Sequence, residues 1–297
     1  MFASRRKLTV PAWNFIRGVT LVELVVTILI MGILAGGTTA YITLSTQSYV
    51  DTATRNQLSG IARLTTMRLE RELGNAVPNS VRTRSGTGEE CVEFFPIEDV
   101  TRYLSLNLGG TAESMTVVPF AKGAALTSRV AAATAAGESL PLFPIIYPTF
   151  SESLYADNTL ATQGPRATTS AYSSSVTSGV ETLSFASHQF DVGTVRQRLY
   201  LAGEPVSFCV VGDKMFRYKN YGVSATQCLP STADCLPTSR PDRSVVSDQI
   251  DNASIAETFE YADGDIQSYG LVRVNLNFAD GSENLVIHHE IQINNAP

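Results

Sequence analysis

The sequence lacks the short motifs by which catalytic and metal-binding proteins are usually identified. It contains no Gly-x-Ser-x-Gly elbow, no Walker loop and no His-Glu-x-x-His segment. Histidine is scarce, with three residues in 297. His288 and His289 adjoin Glu290, but successive residues of a strand face opposite sides, which separates His289 from the other two. We therefore expect no enzymatic activity, no cofactor and no metal ion, and interpret these residues as solvated strand positions.

Acidic side chains leave one metal hypothesis open. Calcium prefers several clustered oxygen ligands, and four aspartates lie near one another in the sequence: Asp248, Asp251, Asp263 and Asp265. Their spacing fits no calcium-loop motif. Solvated turns are therefore the favoured interpretation of this segment.

An excess of basic residues is also absent, which argues against a nucleic-acid-binding surface. The chain has 22 Lys and Arg residues against 28 Asp and Glu residues, a formal net charge of -6. The first 18 residues contain four basic residues and no acidic one, so a chain beginning at Val19 would carry -10. We expect no nucleic-acid partner.

Charge is missing altogether from residues 24–37, which directly follow Glu23. Residues 19–44 are numerous enough to span a bilayer, which takes about 20 residues. A charged side chain within such a span costs about 3 kcal/mol, so Glu23 is a functional candidate. Gly18 precedes the apolar run, whereas a secretory signal peptide is cut after its apolar core. The basic leader before Gly18 is predicted to remain cytoplasmic.

Gly18, the Val-Thr-Leu-Val that follows it, Glu23 and the uncharged run resemble the class III signal of type IV pilins and pseudopilins. The resemblance implies that a prepilin peptidase cleaves between Gly18 and Val19 and methylates the new amino group of Val19. It also implies that Glu23 pairs with the Val19 amine of a neighbouring subunit, which would relieve a costly buried carboxylate. The family usually has Phe where this chain has Val19. A plain anchor with Glu23 at headgroup depth is the alternative.

The resemblance also implies partners and a location. The expected partners are the prepilin peptidase, other major and minor pilins through the N-terminal helix, and the pilus assembly platform. The chain would cross the bacterial inner membrane once, with its globular domain in the periplasm, and would then enter an extracellular pilus.

All four cysteines follow the apolar run: Cys91, Cys209, Cys228 and Cys235. An even number on the oxidising side of a membrane favours disulfides, and four cysteines allow three pairings. We expect Cys228 to pair with Cys235 around a small loop and Cys91 to join Cys209 between two strands. Zinc is the competing interpretation, but no Cys-x-x-Cys pair is present and no histidine is near.

The pattern predicts an α+β fold in which a long N-terminal helix, membrane-spanning in its first half, packs on an antiparallel sheet. After the apolar run, apolar side chains recur at three- or four-residue intervals, as in an amphipathic helix. These positions are Leu58, Ile61, Thr65, Leu69 and Leu73. Gly74 and Pro78 are expected to end the helix. The predicted segments are a leader (1–18), an apolar helix (19–44), an amphipathic helix (45–80) and a β-rich globular domain (81–297) with a Ser/Thr-rich insert near 121–180.

Within the globular domain, alternating patterns predict strands at 91–97, 103–108 and 115–120. Two hairpins are predicted from turn residues between alternating runs, one around Gly212 and one around Gly281. The Ala-rich segment 131–136 predicts a short helix. Residues 168–178 are rich in Ser and Thr and predict a surface loop.

Residues 68–82, with the sequence RLERELGNAVPNSVR, and residues 91–97 resemble minor pilins of mannose-sensitive haemagglutinin pili. The resemblance is strong over the first hundred residues and thin through the insert. It implies a role in initiating pilus assembly or forming the tip, and in surface attachment. Two alternatives remain open: a minor pseudopilin of a type II secretion system, and an adhesin or binding module carried on a pilin stem.

Overall fold

The computed structural model describes residues 18–138, 140–156, 163–169, 172, 175–262 and 270–293. The basic leader therefore lies outside the described residues, as do Asp263 and Asp265. The chain divides into two compact units, the first ending at Ala53 and the second beginning at Thr54. The architecture is α+β, with a long N-terminal helix packed on antiparallel sheets, and this confirms the predicted fold class.

Helix α1 runs from Leu21 to Leu73. After Leu73 the backbone bonds tighten, because the Asn75 N–H donates to the Glu72 carbonyl at 3.2 Å and the Ala76 N–H to the Leu73 carbonyl at 3.0 Å. A Cβ atom at Gly74 would lie 2.8 Å from the Glu70 carbonyl oxygen, so this turn requires glycine. The predicted stop at Gly74 is confirmed.

Within the second unit, helix α1 buries one stripe of side chains: Leu58, Ala62, Thr65, Leu69 and Leu73. The three- or four-residue spacing places them on one face. Ile61, which the pattern also predicted, is partly buried against the same core.

The second unit contains fourteen strands and two further helices among the described residues. The strands are β1 (Arg82–Gly86), β2 (Glu89–Phe94), β3 (Ile97–Ser105), β4 (Thr111–Val117), β5 (Phe143–Ile145), β6 (Val176–Thr177), β7 (Val180–Gln189), β8 (Arg198–Ala202), β9 (Val206–Val211), β10 (Lys214–Tyr218), β11 (Arg243–Ser247), β12 (Phe259–Ala262), β13 (Gly270–Asp280) and β14 (Glu283–Ile293). The helices are α2 (Gly123–Ala135) and α3 (Ser151–Tyr155).

The strands form three sheets. Five strands are ordered β1-β2-β9-β10-β11, three are ordered β12-β13-β14, and six are ordered β5-β8-β3-β4-β7-β6. The five-stranded and three-stranded sheets share a core with helix α1, in which Leu69, Phe94, Phe208 and Leu276 are buried. The Phe94 and Phe208 rings stack with centroids 6.4 Å apart.

The six-stranded sheet is built from residues 97–202, which lie between β2 and β9 in sequence and include the segment 121–180. It has its own core, to which helix α2 contributes Leu126 and Val130. Helix α2 covers the predicted 131–136 helix except for its last residue but begins earlier, at Gly123. This sheet is thus a second layer of structure with apolar side chains of its own.

Several predicted elements have different bounds. The strand predicted over 91–97 is divided into β2 and β3 at Pro96, because proline has no N–H to donate to a strand ladder. The strand predicted over 103–108 consequently begins earlier, at Ile97, and the one predicted over 115–120 begins at Thr111. Both predicted hairpins are confirmed: β9 pairs with β10, and β13 pairs with β14.

The surface loop predicted over 168–178 is wrong for part of its length. Thr169 is 1% exposed and Tyr172 is 5% exposed. The Tyr172 hydroxyl donates to the buried Glu181 carboxylate at 2.7 Å. Residues 170, 171, 173 and 174 lie outside the described residues.

Candidate membrane-anchoring and assembly segment

The candidate site begins just before helix α1, where Gly18, Val19 and Thr20 are not helical. The Thr20 hydroxyl accepts a hydrogen bond from the Glu23 backbone N–H at 3.2 Å. The Thr20 carbonyl accepts the first helical bond, from the Leu24 N–H at 3.1 Å. Thr20 is therefore the N-cap, and its hydroxyl satisfies one of the unpaired N–H groups of the first turn.

This geometry shows a helix cap at Thr20 that sequence reasoning missed, with Glu23 at its third helical position. Thr20 and Glu23 have the spacing of a capping box, in which Glu or Gln follows a Ser or Thr cap by three residues. A carboxylate in the first turn also interacts favourably with the positive end of the helix dipole. The signal was present in the sequence as Thr-x-x-Glu at the start of the apolar run.

Beyond Glu23, the helix has no charged residue until Asp51. Every residue from Gly18 to Val50 is exposed, although most are apolar. Leu21, for example, is 81% exposed and Met31 is 69% exposed. Over its most apolar 18-residue window the mean hydropathy is 2.2, and helix α1 is long and apolar enough to cross a membrane.

Four threonine side chains of this segment are satisfied within the helix. Thr27, Thr38, Thr39 and Thr43 each donate a hydroxyl hydrogen bond to a backbone carbonyl in the preceding turn, at 2.7–3.0 Å. These four hydroxyl donors therefore stay paired when the helix enters hydrocarbon, where an unpaired group is costly. Glu23 differs, because residues 18–50 contain no Lys, Arg or His to neutralise it.

The structure brings the cysteines together in two bridges, both in the second unit. Cys91 on β2 and Cys209 on β9 are directly opposed cross-strand partners, with an S–S distance of 2.04 Å. Cys228 and Cys235 close a short loop ahead of β11. That loop is attached to β2 through Ser231, whose backbone N–H donates to the buried Glu89 carboxylate at 3.0 Å.

A buried polar cluster lies near the first bridge and was not predicted from sequence. Glu93 is fully buried, forms an ion pair with Arg82, and accepts a hydrogen bond from the Tyr221 hydroxyl at 2.9 Å. Burial raises the pKa of Glu93, and the charge of Arg82 opposes that rise. Arg82 also lies over the Tyr155 ring at 3.5 Å and donates to the Ser224 and Ala225 carbonyls. Since each group is paired, the cluster fastens the loop after β10 to β1 and β2.

The histidines occupy three different environments. His188 is 3% exposed, and its Nε2 donates to the Gly164 carbonyl at 2.9 Å. His288 Nδ1 donates to the Asn275 side-chain oxygen at 2.8 Å on the exposed face of β14. His289 faces the other way, with Nε2 3.7 Å from a Glu70 carboxylate oxygen, so the predicted separation of the pair is confirmed. Over the described part of the chain, no group of three metal-ligating side chains is close enough to hold an ion.

Residues 13–39 match the family model described as the prokaryotic N-terminal methylation motif, the class III signal of type IV pilins. No curated protein and no solved structure matches the chain. The match supports a type IV pilin-like or pseudopilin-like protein, and proteins of that type are generally structural rather than enzymatic. A motif of this kind implies processing by a prepilin peptidase and assembly with other pilins, and with the apolar helix it indicates membrane anchoring.

Proposed function

We propose that this chain is a minor pilin of a type IV pilus, similar to the O protein of mannose-sensitive haemagglutinin pili. It would act in initiating assembly or forming the tip, and so in surface attachment. The observation that carries the proposal is a methylation motif on a capped helix whose residues 21–50 are all exposed and include one carboxylate, Glu23. The six-stranded sheet of residues 97–202 adds a second layer to the globular part, which favours a specialised subunit over a repeated one.

In this proposal, cleavage between Gly18 and Val19 leaves the apolar helix on the mature chain with a methylated Val19 amine. The globular part stays in the periplasm, on the oxidising side where the two disulfides form. When the subunit leaves the membrane, Glu23 pairs with the Val19 amine of a neighbouring pilin on the assembly platform. Residues 18–50 contain no Lys, Arg or His side chain, which supports a terminal ammonium group as the partner of Glu23.

The capping geometry allows a sharper test of Glu23 than removal of the side chain. Gln at this position keeps the capping-box spacing but has no charge. We expect Glu23→Gln to be cleaved and methylated normally, as measured by intact mass and N-terminal peptide analysis, but to be depleted from purified filaments. Thr20→Ala is the matched control, because it weakens the cap by about 1 kcal/mol and retains the carboxylate.

If Glu23→Gln enters filaments as well as the wild type while Thr20→Ala does not, assembly requires the Thr20 cap and not the charge of Glu23, and the ion-pair role is wrong. A wild-type chain that still carries residues 1–18 in cells with active prepilin peptidase would instead identify an ordinary anchor. The methylation motif is equally compatible with a minor pseudopilin of a type II secretion system. Copurification with secretion components, in place of pilus components, would establish that alternative.

A further inference from the structure

Strand β14 differs from every other edge strand among the described residues. Six strands lie at the edges of the three sheets. Five are short: β1 and β11 have 5 residues, β12 has 4, β5 has 3 and β6 has 2. β14 has 11 residues. Native proteins usually keep edge strands short, because a free edge presents unpaired N–H and C=O groups to any other chain.

The edge of β14 also lacks the proline, the lysine and the bulge that commonly protect an edge strand. It pairs with β13 over eleven consecutive positions without a register shift, whereas bulges interrupt the β3–β4, β4–β7 and β10–β11 pairs. Its sequence, ENLVIHHEIQI, contains no Pro, Gly, Lys or Arg. Over the ranges that the structure covers, no strand pairs with its outer side. Val286 on this strand is 47% exposed.

The side chains on the exposed face indicate which type of residue an added strand would place beside β14. Glu260, Arg273 and Glu290 are register partners on β12, β13 and β14. Arg273 donates to Glu260 at 3.2 Å and to Glu290 at 3.1 Å. These three side chains form a row of alternating charge across the sheet. The row ends at the outer edge with Glu290, whose side chain is 61% exposed. Opposite charges on adjacent strands are favourable, so a basic residue would extend the row.

The direction of β14 argues against a second copy of this chain as the occupant. Arg55 is paired with Glu283, and Glu70 lies 3.7 Å from His289, so β14 runs in the same direction as the helix beside it. Antiparallel pairing of two β14 edges would reverse one of the two helices. Chains anchored in one membrane share one orientation, which excludes that arrangement. Parallel pairing of two β14 edges would put their exposed faces on opposite sides of the joined sheet, so the charged row would not continue, and the occupant is therefore a different segment.

We propose that the outer edge of β14 receives an extended strand from another filament subunit. That strand carries Lys or Arg opposite Glu290 and an apolar residue opposite Val286. Backbone hydrogen bonds would supply affinity, and these two side-chain contacts would supply register, as in other cases of strand addition. The inference rests on the proposed function, because it requires that the chain assemble with other subunits.

The test places a photo-crosslinking residue, p-benzoylphenylalanine, at Val286 of the full chain in cells that assemble filaments. Val245 is the matched control, because it is 46% exposed and lies on the short edge strand β11. We expect an adduct from position 286, mapped by mass spectrometry to a strand of another subunit next to a Lys or Arg. Position 245 should give at least about fivefold less adduct.

A second pair of variants tests the charge row. Glu290→Lys and Glu260→Lys each remove one carboxylate partner of Arg273, but only Glu290 lies at the proposed edge. We expect Glu290→Lys to reduce the adduct from position 286 about fivefold, and Glu260→Lys to leave it near the wild-type yield. Non-reducing electrophoresis verifies that both disulfides form in each variant.

Three outcomes would each overturn the proposal. They are equal adduct yields from positions 286 and 245, equal effects of the two lysine variants, and an adduct to β14 of a second copy. Incorporation into filaments without an adduct from position 286 would overturn it alone and leave the proposed function intact. A wild-type chain that never enters a filament would overturn the proposed function, and this inference with it.

Discussion

The two units of the molecule treat apolar side chains in opposite ways, although helix α1 contributes to both. From Leu21 to Val50 every helical side chain is exposed. From Thr54 to Leu73 the same helix buries a regular stripe, with Leu58, Leu69 and Leu73 at most 1% exposed. Helix propensity does not separate these stretches, because both are helical. What differs is where the apolar side chains lie: those of the second unit are buried in the protein core, whereas those of the first are exposed on a helix that is apolar enough to cross a membrane.

All four cysteines lie in the second unit, so removing a disulfide should destabilise that unit alone. The largest loss of unfolding free energy is expected from removing the Cys91–Cys209 bridge. Its partners are 118 residues apart, and closing a loop of that length stabilises a fold by about 5 kcal/mol in the chain-entropy description. We expect the double variant Cys91→Ala, Cys209→Ala to lose about that much unfolding free energy in urea titrations of the micelle-bound protein. The fraction of the chain in membranes should not change.

The second bridge supplies the control for that experiment. Cys228 and Cys235 are 7 residues apart, for which the same description gives about 2 kcal/mol. Equal losses from the two double variants would show that loop length does not set the stabilisation. A loss of membrane association in either variant would show that the units are not independent.

One substitution made at two places in helix α1 tests whether the two stretches of the helix lie in different environments. Leu69 is 0% exposed and Leu29 is 60% exposed. Leu69→Ala should cost about 3 kcal/mol of unfolding free energy because it leaves a cavity in the core of the second unit. Leu29→Ala should leave the urea transition of that unit unchanged. Similar shifts from the two variants would contradict the assignment of Leu29 to a different environment.

A smaller effect is expected from pH, and it too is confined to the second unit, because all three histidines lie there. Burial lowers the pKa of His188 below its usual value of 6.5. The unfolded chain therefore binds the proton more readily than the folded one. The stability that His188 contributes is present above pH 6.5 and is lost as the pH falls from there through the lower folded pKa.

Burial raises the pKa of Glu93 and of Glu204, so their effect on stability as the pH falls is opposite to that of His188. The contribution of His188 is therefore measured as a difference between variants. We expect His188→Gln to lose less stability than the wild type between about pH 7.5 and about pH 5. His288→Gln, on the exposed face of β14, should follow the wild type. An unchanged pH slope in His188→Gln would contradict the role assigned to that imidazole.

The sequence was most informative where one local pattern determines one structure. Gly74 lies at the end of helix α1, where the turn has no room for a side chain, and Gly212 and Gly281 mark hairpin turns at positive φ. The motif around Gly18 and Glu23 matches a known family model for the same reason, since it is short and contiguous. These features need no knowledge of distant residues.

Apart from the cap at Thr20 and strand β7, whose signals are local, the parts that were missed depend on contacts between distant residues. The loop predicted around Thr169 is held inside because Tyr172 reaches the buried Glu181, and no local pattern reports that partner. Arg82, Glu93 and Tyr221 form one cluster although they are far apart in sequence. The strands β1, β5, β6, β11 and β12 are too short for alternation to identify them.

The place where the six-stranded sheet joins the rest of the chain has an evolutionary consequence. The sheet is entered at Ile97 and left at Ala202, and these two residues are neighbours in the β3–β8 pair. The strands on either side, β2 and β9, are themselves paired and covalently joined by Cys91 and Cys209. A segment whose two ends meet can be lengthened, shortened or exchanged without moving the strands that receive it. Selection can therefore change this segment most freely away from Tyr155, whose hydroxyl donates to the Ser80 carbonyl and whose ring contacts Arg82 of β1.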